Sequence, residues 1–90
     1  MNNTRRKNIK ALYERVSELG AKISDLKSDC EDIRDEEQEA LDNMPESLEG
    51  SERYSNMEDA VQNLEDAIYE MDEMYDSVDE VLTCLEDAGV

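Results

Sequence analysis

Asp42-Asn43-Met44-Pro45-Glu46-Ser47-Leu48-Glu49-Gly50-Ser51-Glu52-Arg53 interrupts a chain that otherwise places apolar residues at alternating spacings of three and four. Pro45 disfavours helical backbone at Met44, and Gly50 is the best local candidate for a left-handed turn. Within the interruption, Pro45-Glu46-Ser47-Leu48 has the composition of one short helical turn. Ser51 can cap a helix that follows it, and Ser55-Asn56-Met57-Glu58 matches a capping box if that helix starts a turn later.

Upstream of the interruption the apolar series runs Ile9, Leu12, Val16, Leu19, Ile23, Leu26, Cys30, Ile33, then Glu37 as the charged exception, Ala40 and Met44. Downstream it runs Tyr54, Met57, Val61, Leu64, Ile68, Met71, Tyr75, Val78, Leu82 and Leu85, with no charge in any seam position. A mean spacing of ~3.5 residues is the coiled-coil period and draws one seam along each of two helices. Asn3 or Thr4 can cap the first. The expected fold is all-α: a single helical-hairpin domain over 1–90, with helices at about 4–43 and 52–88 and a connection at about 44–51. At ~1.5 Å per residue each helix is about 55–60 Å long, and so short a connection makes the pair an antiparallel coiled coil.

Charge selects a register for that pair. Residues 1–28 carry seven Lys/Arg against three Asp/Glu, a net +4, whereas residues 29–90 carry two against twenty-three, a net −21. Both distributions oppose the helix dipole, so attraction between the helices explains them better than local propensity does. Setting Ile33 against Leu64 and Ile23 against Tyr75 brings Arg34 near Glu65 and Lys27 near Asp72. Cys30 then faces Ile68 as a small buried residue, while Cys84 lies off the seam and about 24 Å along the helix axis, outside disulfide reach. Each exposed ion pair is worth only ~0.2–1 kcal/mol, so charge chooses the register more than it stabilises it.

The second helix carries an additional apolar row beside its seam: Ala60, Ala67, Met74, Val81 and Ala88. The row opposite it on the first helix is Arg15, Lys22, Asp29 and Glu36, which leaves Met74 and Val81 poorly covered. A homodimer, with second helices meeting across a two-fold to complete a four-helix bundle, covers this row. Alternatively, the stems of Arg15 and Lys22 lie over it in a monomer.

Composition narrows the chemistry. There is no His, so neither the usual general base nor the commonest metal ligand is present, and no nucleophile–base pair can be assembled. A net charge of −17 on 90 residues opposes direct contact with nucleic acid or an anionic membrane and favours a basic protein partner. High charge also suits disorder, but the heptad periodicity argues against that. No apolar run approaches a membrane span and no signal-peptide core follows the basic start, so a cytoplasmic location with reduced cysteines is expected. The EF-hand pattern is absent and the glycines form no phosphate loop; neither metal nor cofactor is expected. Glutamate-rich helices resemble the all-α nucleoside triphosphate pyrophosphohydrolases, which use Glu-Glu-x-x-Glu and Glu-x-x-Asp to hold magnesium. Glu73-Met74-Tyr75-Asp76 fits the second element, but Glu36-Glu37-Gln38-Glu39-Ala40 puts alanine where the third carboxylate of the first belongs. The expectation is therefore a protein that is not an enzyme.

The acidic residues themselves are the remaining candidate. Thirteen Asp/Glu fall between Glu52 and Ala88, one per ~4.3 Å of helix. Two such helices side by side present one per ~2 Å, close to the one per ~1.7 Å of duplex DNA. Residues 29–69 hold fifteen acids and two bases, a net −13, so a basic partner is expected to dock on the half containing the bend. Its candidates are Asp29, Glu31, Asp32, Asp35, Glu36, Glu39, Glu46, Glu49, Asp59 and Asp66. The plainer reading of the same residues is a solvated face that confers solubility.

The segment from Asp42 to Tyr54 resembles the central motif of small acidic helical proteins of phages and mobile elements of Gram-positive bacteria, in which a basic helix precedes the motif and an acidic one follows. That group has no assigned activity. The resemblance implies a phage setting, where small acidic proteins inhibit host-defence nucleases, anti-CRISPR proteins among them. It points to an inhibitor that occupies a basic nucleic-acid-binding or host-defence protein surface, such as a nuclease or defence effector, by DNA-mimic-like charge. The alternative is a structural or adaptor coiled coil acting through its apolar seam.

Overall fold

A computed structural model describes residues 1–89 as an all-α, two-helix hairpin. Helix α1 spans Asn3–Asp42 and α2 spans Glu52–Ala88. Asn2 caps α1, accepting from the Arg5 amide at 2.8 Å, one residue ahead of the Asn3 or Thr4 expected from sequence. A free side-chain oxygen there satisfies one of the first-turn amides that a helix leaves without partners. Neither acidic residues in the first turn nor basic ones in the last favour α1, so its stability comes from packing.

The connection is built as its residues dictate. Pro45 is extended, with φ −60° and ψ 143°, and Glu46–Leu48 form one 3₁₀ turn. Ser51 closes it from both sides: its hydroxyl donates to the Leu48 carbonyl at 2.6 Å and accepts from the Tyr54 amide at 3.2 Å. Because Ser51 takes the cap, α2 begins at Glu52 and Ser55 falls inside the helix, so the alternative capping box is not used. Gly50 does not adopt the expected left-handed conformation; no glycine among the described residues has positive φ, because the 3₁₀ turn completes the reversal.

The chain divides into two compact units, Met1–Asp25 with Met71–Val90 (the terminal unit) and Leu26–Glu70 (the bend unit). In the bend unit the buried residues are Cys30, Val61 and Ile68, and the Cys30 thiol donates to the Leu64 carbonyl at 3.8 Å. Arg34 does not reach for Glu65; its Nε donates to Asp35 on its own helix at 2.9 Å. In the terminal unit Ile23 is 5% exposed, and the Tyr13 hydroxyl donates to Glu86 across the pair at 3.2 Å. Gly20 lies so close to α2 that a Cβ there would stand 3.2 Å from Val78 Cγ1. These levels match the register that charge selected.

The face that α1 turns inward differs from the one its heptad suggested. Ile9, Tyr13, Val16, Gly20 and Ile23 are covered in the terminal unit, and Cys30, Arg34, Glu37, Leu41 and Met44 in the bend unit. Leu12, Leu19, Leu26 and Ile33, expected in the seam, are 44–57% exposed. On α2 the seam series from Tyr54 to Leu85 is covered except at Tyr75, which is 47% exposed. The physical reason is geometric. A helix contacts one neighbour along a strip narrower than the full apolar stripe, and here the strip is centred between the Ile9–Val16–Ile23 row and the Tyr13–Gly20 row.

The Gly20–Val78 approach predicts a graded response. Gly20→Leu should lower stability by ~1–3 kcal/mol through overpacking. Gly20→Ala should stay within about 1 kcal/mol of the parent, since improved helix propensity offsets the tight contact. Urea unfolding followed by circular dichroism measures both, and a Gly20→Leu chain as stable as the parent would show that the helices do not approach here.

Candidate interaction surfaces

Of the sequence-predicted acidic residues, all are exposed except Glu31, which is half-covered. At about 100° per residue, Asp32 and Glu39 project directly away from α2, with Asp29, Asp35 and Glu36 on either side of them. Asp59 and Asp66 project directly away from α1. The bend unit therefore carries two outward acidic faces rather than one, with Glu46 and Glu49 in the connection. A single flat partner can engage the α1 set or the α2 set, each together with the connection.

Few of these carboxylates are neutralised within the chain. Asp35 takes Arg34, and Asp66 accepts from Gln62 Nε2 at 3.0 Å; among the described residues the other candidates carry no ion pair. The negative charge around the connection is felt at Tyr54, whose hydroxyl is pushed above the ordinary phenol range. Partial cover of the ring is the first cause, followed by the negative charges of Glu58, Glu49 and Asp42. Tyr13 moves the same way, principally through its hydrogen bond to Glu86 and then through that carboxylate's charge. Glu37, the charged exception in the α1 series, is half-covered at a shallow depression shared with Glu52, Arg53, Asn56 and Met57.

The apolar candidates form a second surface. Ala60 and Ala67 are half-covered, whereas Met74, Val81 and Ala88 are exposed. The Tyr13–Glu86 contact fixes one edge of the terminal unit, and Leu12 and Leu19 therefore share the opposite edge with Met74, Val81 and Ala88. In the bend unit Leu26 and Ile33 are exposed as well. Sequence reasoning did not assign the α1 row to a surface, because period alone cannot say which part of a stripe the intrachain partner takes. The signal that could have found it was the charged row Arg15, Lys22, Asp29 and Glu36 running alongside.

Among the described residues no group of three or more Cys, Asp or Glu side chains is placed to hold a metal ion, and no helix is long and apolar enough to cross a membrane. Cys30 is buried and Cys84 exposed, and both are free thiols. No family model, curated protein or solved structure matches the chain.

The acidic field at the bend can be read through Tyr54. Neutral phenol is favoured there, so ionisation should occur at higher pH than for free tyrosine. Glu49→Gln with Glu58→Gln should lower the titration midpoint, and added salt should act in the same direction. Ultraviolet titration of a chain in which Tyr54 is the sole tyrosine reports it; a midpoint unmoved by both changes would remove the carboxylates as a cause.

Proposed function

We propose that the protein is a non-enzymatic inhibitor of the phage anti-defence kind, an anti-CRISPR-like protein in mode of action. It occupies a basic nucleic-acid-binding surface of a host nuclease or defence effector by presenting carboxylates in place of phosphates. The observation that carries this reading is the set of exposed carboxylates of the bend unit that lack an ion pair within the chain. A basic groove that binds duplex DNA is lined with Lys and Arg spaced for phosphates, and fixed carboxylates on a helix offer it anions without conformational cost. Steering by complementary charge would bring the two together rapidly and make association salt-dependent. Of the two acidic faces, the α1 set with the connection is the denser, with Asp32 and Glu39 at its centre and Asp35 beside them.

A second reading belongs to a different class: an adaptor that works through its apolar edge. The exposure of Leu12, Leu19, Met74 and Val81 favours it. The two separate by their response to salt and by the substitutions they feel.

Immobilised protein should capture a basic host protein from lysate at low salt and release it at high salt. Duplex DNA should compete for the same partner. Asp32→Lys, Asp35→Lys and Glu39→Lys together should weaken capture by about tenfold or more, while Val81→Glu leaves it unchanged. Capture that is insensitive to salt and to the three charge reversals, but lost with Val81→Glu, would replace mimicry by the adaptor reading.

A further inference from the structure

Within the terminal unit, the side chains left uncovered on α1 complement those left uncovered on α2. Leu12, Leu19, Met74 and Val81 are each about half exposed, and Ala88 is exposed on the same edge. Leu12, Arg15, Val16 and Leu19 frame an open depression on α1, continued by Glu18 and Lys22. Four residues at that spacing form the hole into which a facing helix inserts one side chain. Gly20 stands against Val78 and Ile9 against Gly89, so in this unit Val81 lies level with Ser17, the middle of the depression. Val81 of the same chain does not line it. A two-fold axis parallel to the helices preserves every level, so a second copy facing this edge brings its own Val81 to the hole and presents its hole to the first.

Charge agrees with that placement. Arg15 and Lys22 lie exposed just outside the leucine row, and among the described residues neither has a carboxylate partner within the chain. Outside the apolar row of α2 come Ser77 and Cys84, small and uncharged, and beyond them the exposed acids Glu73, Glu80 and Asp87, likewise without an ion pair. With α1 laid on α2 of the second copy, Arg15 falls about level with Cys84, between Glu80 and Asp87. Lys22 falls about level with Ser77, between Glu73 and Glu80. Each cation is then within ~6 Å of two acids along the helix axis. The small residues leave room for the stems while the heads reach the carboxylates, and the set occurs twice. The other two-fold, perpendicular to the helices, lays the Leu12–Leu19 row on itself and brings Arg15 against Arg15 of the second copy, like charge on like.

We propose that a second copy of this chain covers the apolar edge of the terminal unit, with α1 antiparallel to α2 of the second copy and Val81 seated in the depression between Leu12 and Leu19, reciprocally. The four half-exposed side chains amount to roughly 350–400 Å² per copy, and with Ser77, Cys84, Ala88 and the stems of Arg15 and Lys22 two copies cover about 1,000–1,300 Å², the lower end of a specific interface. The dimer uses none of the carboxylates of the bend unit, so it stands independently of the proposed inhibition.

Sedimentation equilibrium should find the parent chain dimeric with a Kd of about 10–100 μM. Val81→Glu and Lys22→Glu should each weaken association about tenfold or more at unchanged helicity, since each change acts twice across the two-fold. Oxidised Arg15→Cys should cross-link to a dimer through Cys84 of the second copy, whereas Arg15→Cys with Cys84→Ser should not. A parent chain that remains monomeric at about 500 μM overturns the proposal, as does association unmoved by Val81→Glu. A dimer in which Arg15→Cys cross-links without Cys84, or fails to cross-link with it, overturns the arrangement.

Discussion

A helix can turn only one strip of its surface toward one neighbour, and this constraint organises the whole hairpin. The strip α1 gives to α2 includes Gly20, whose missing side chain lets Val78 approach, and Cys30, whose thiol reaches the Leu64 carbonyl. Its outer margin is polar: Tyr13 meets Glu86, and Arg34 folds back on Asp35. Once that strip is taken, the leucine row about a fifth of a turn away is left half exposed. The exposed apolar residues are a consequence of the seam.

Energetically the seam is thin. Among the described residues three aliphatic side chains and one cysteine are buried, and no polar side chain is buried with them. At ~1.5–3 kcal/mol for a fully buried aliphatic residue, such a core must work against the ordering of two helices of 40 and 37 residues. Good helix formers and terminal caps at Asn2 and Ser51 reduce that cost locally. The concentration of negative charge raises it again through self-repulsion. Carboxylates held at fixed positions with few internal partners are destabilising in isolation and become favourable against a basic surface.

Much of the architecture was legible in the sequence. Two heptad runs, Pro45 and Ser51 determine two helices and the bend, and Asp42, Glu46–Leu48 and Glu52 fall within a residue of their expected limits. The pairing level followed from charge and from Ile23, Cys30 and Ile68. The strip of α1 that faces α2 was not legible, because a three–four repeat is equally the signature of a two-helix seam and of a bundle core, and Leu26 and Ile23 look alike to it. Gly50 misled for a local reason: a 3₁₀ turn can complete the reversal without a left-handed residue. For the candidate surface, the concentration of acids at the bend was plain. Their division into outward faces, Asp32 with Glu39 and Asp59 with Asp66, required knowing which way each helix is turned.

The division of α1 into a covered strip and an open one is tested most directly by its two thiols. Cys30 lies in the seam and Cys84 is exposed on α2. Under native conditions a small alkylating reagent should modify Cys84 at the rate of a free thiol and Cys30 at least about a hundredfold more slowly, the difference vanishing in denaturant. Equal rates in native buffer would mean that the Cys30 row does not face α2, and the seam, the open edge and the surfaces derived from them would all be misplaced.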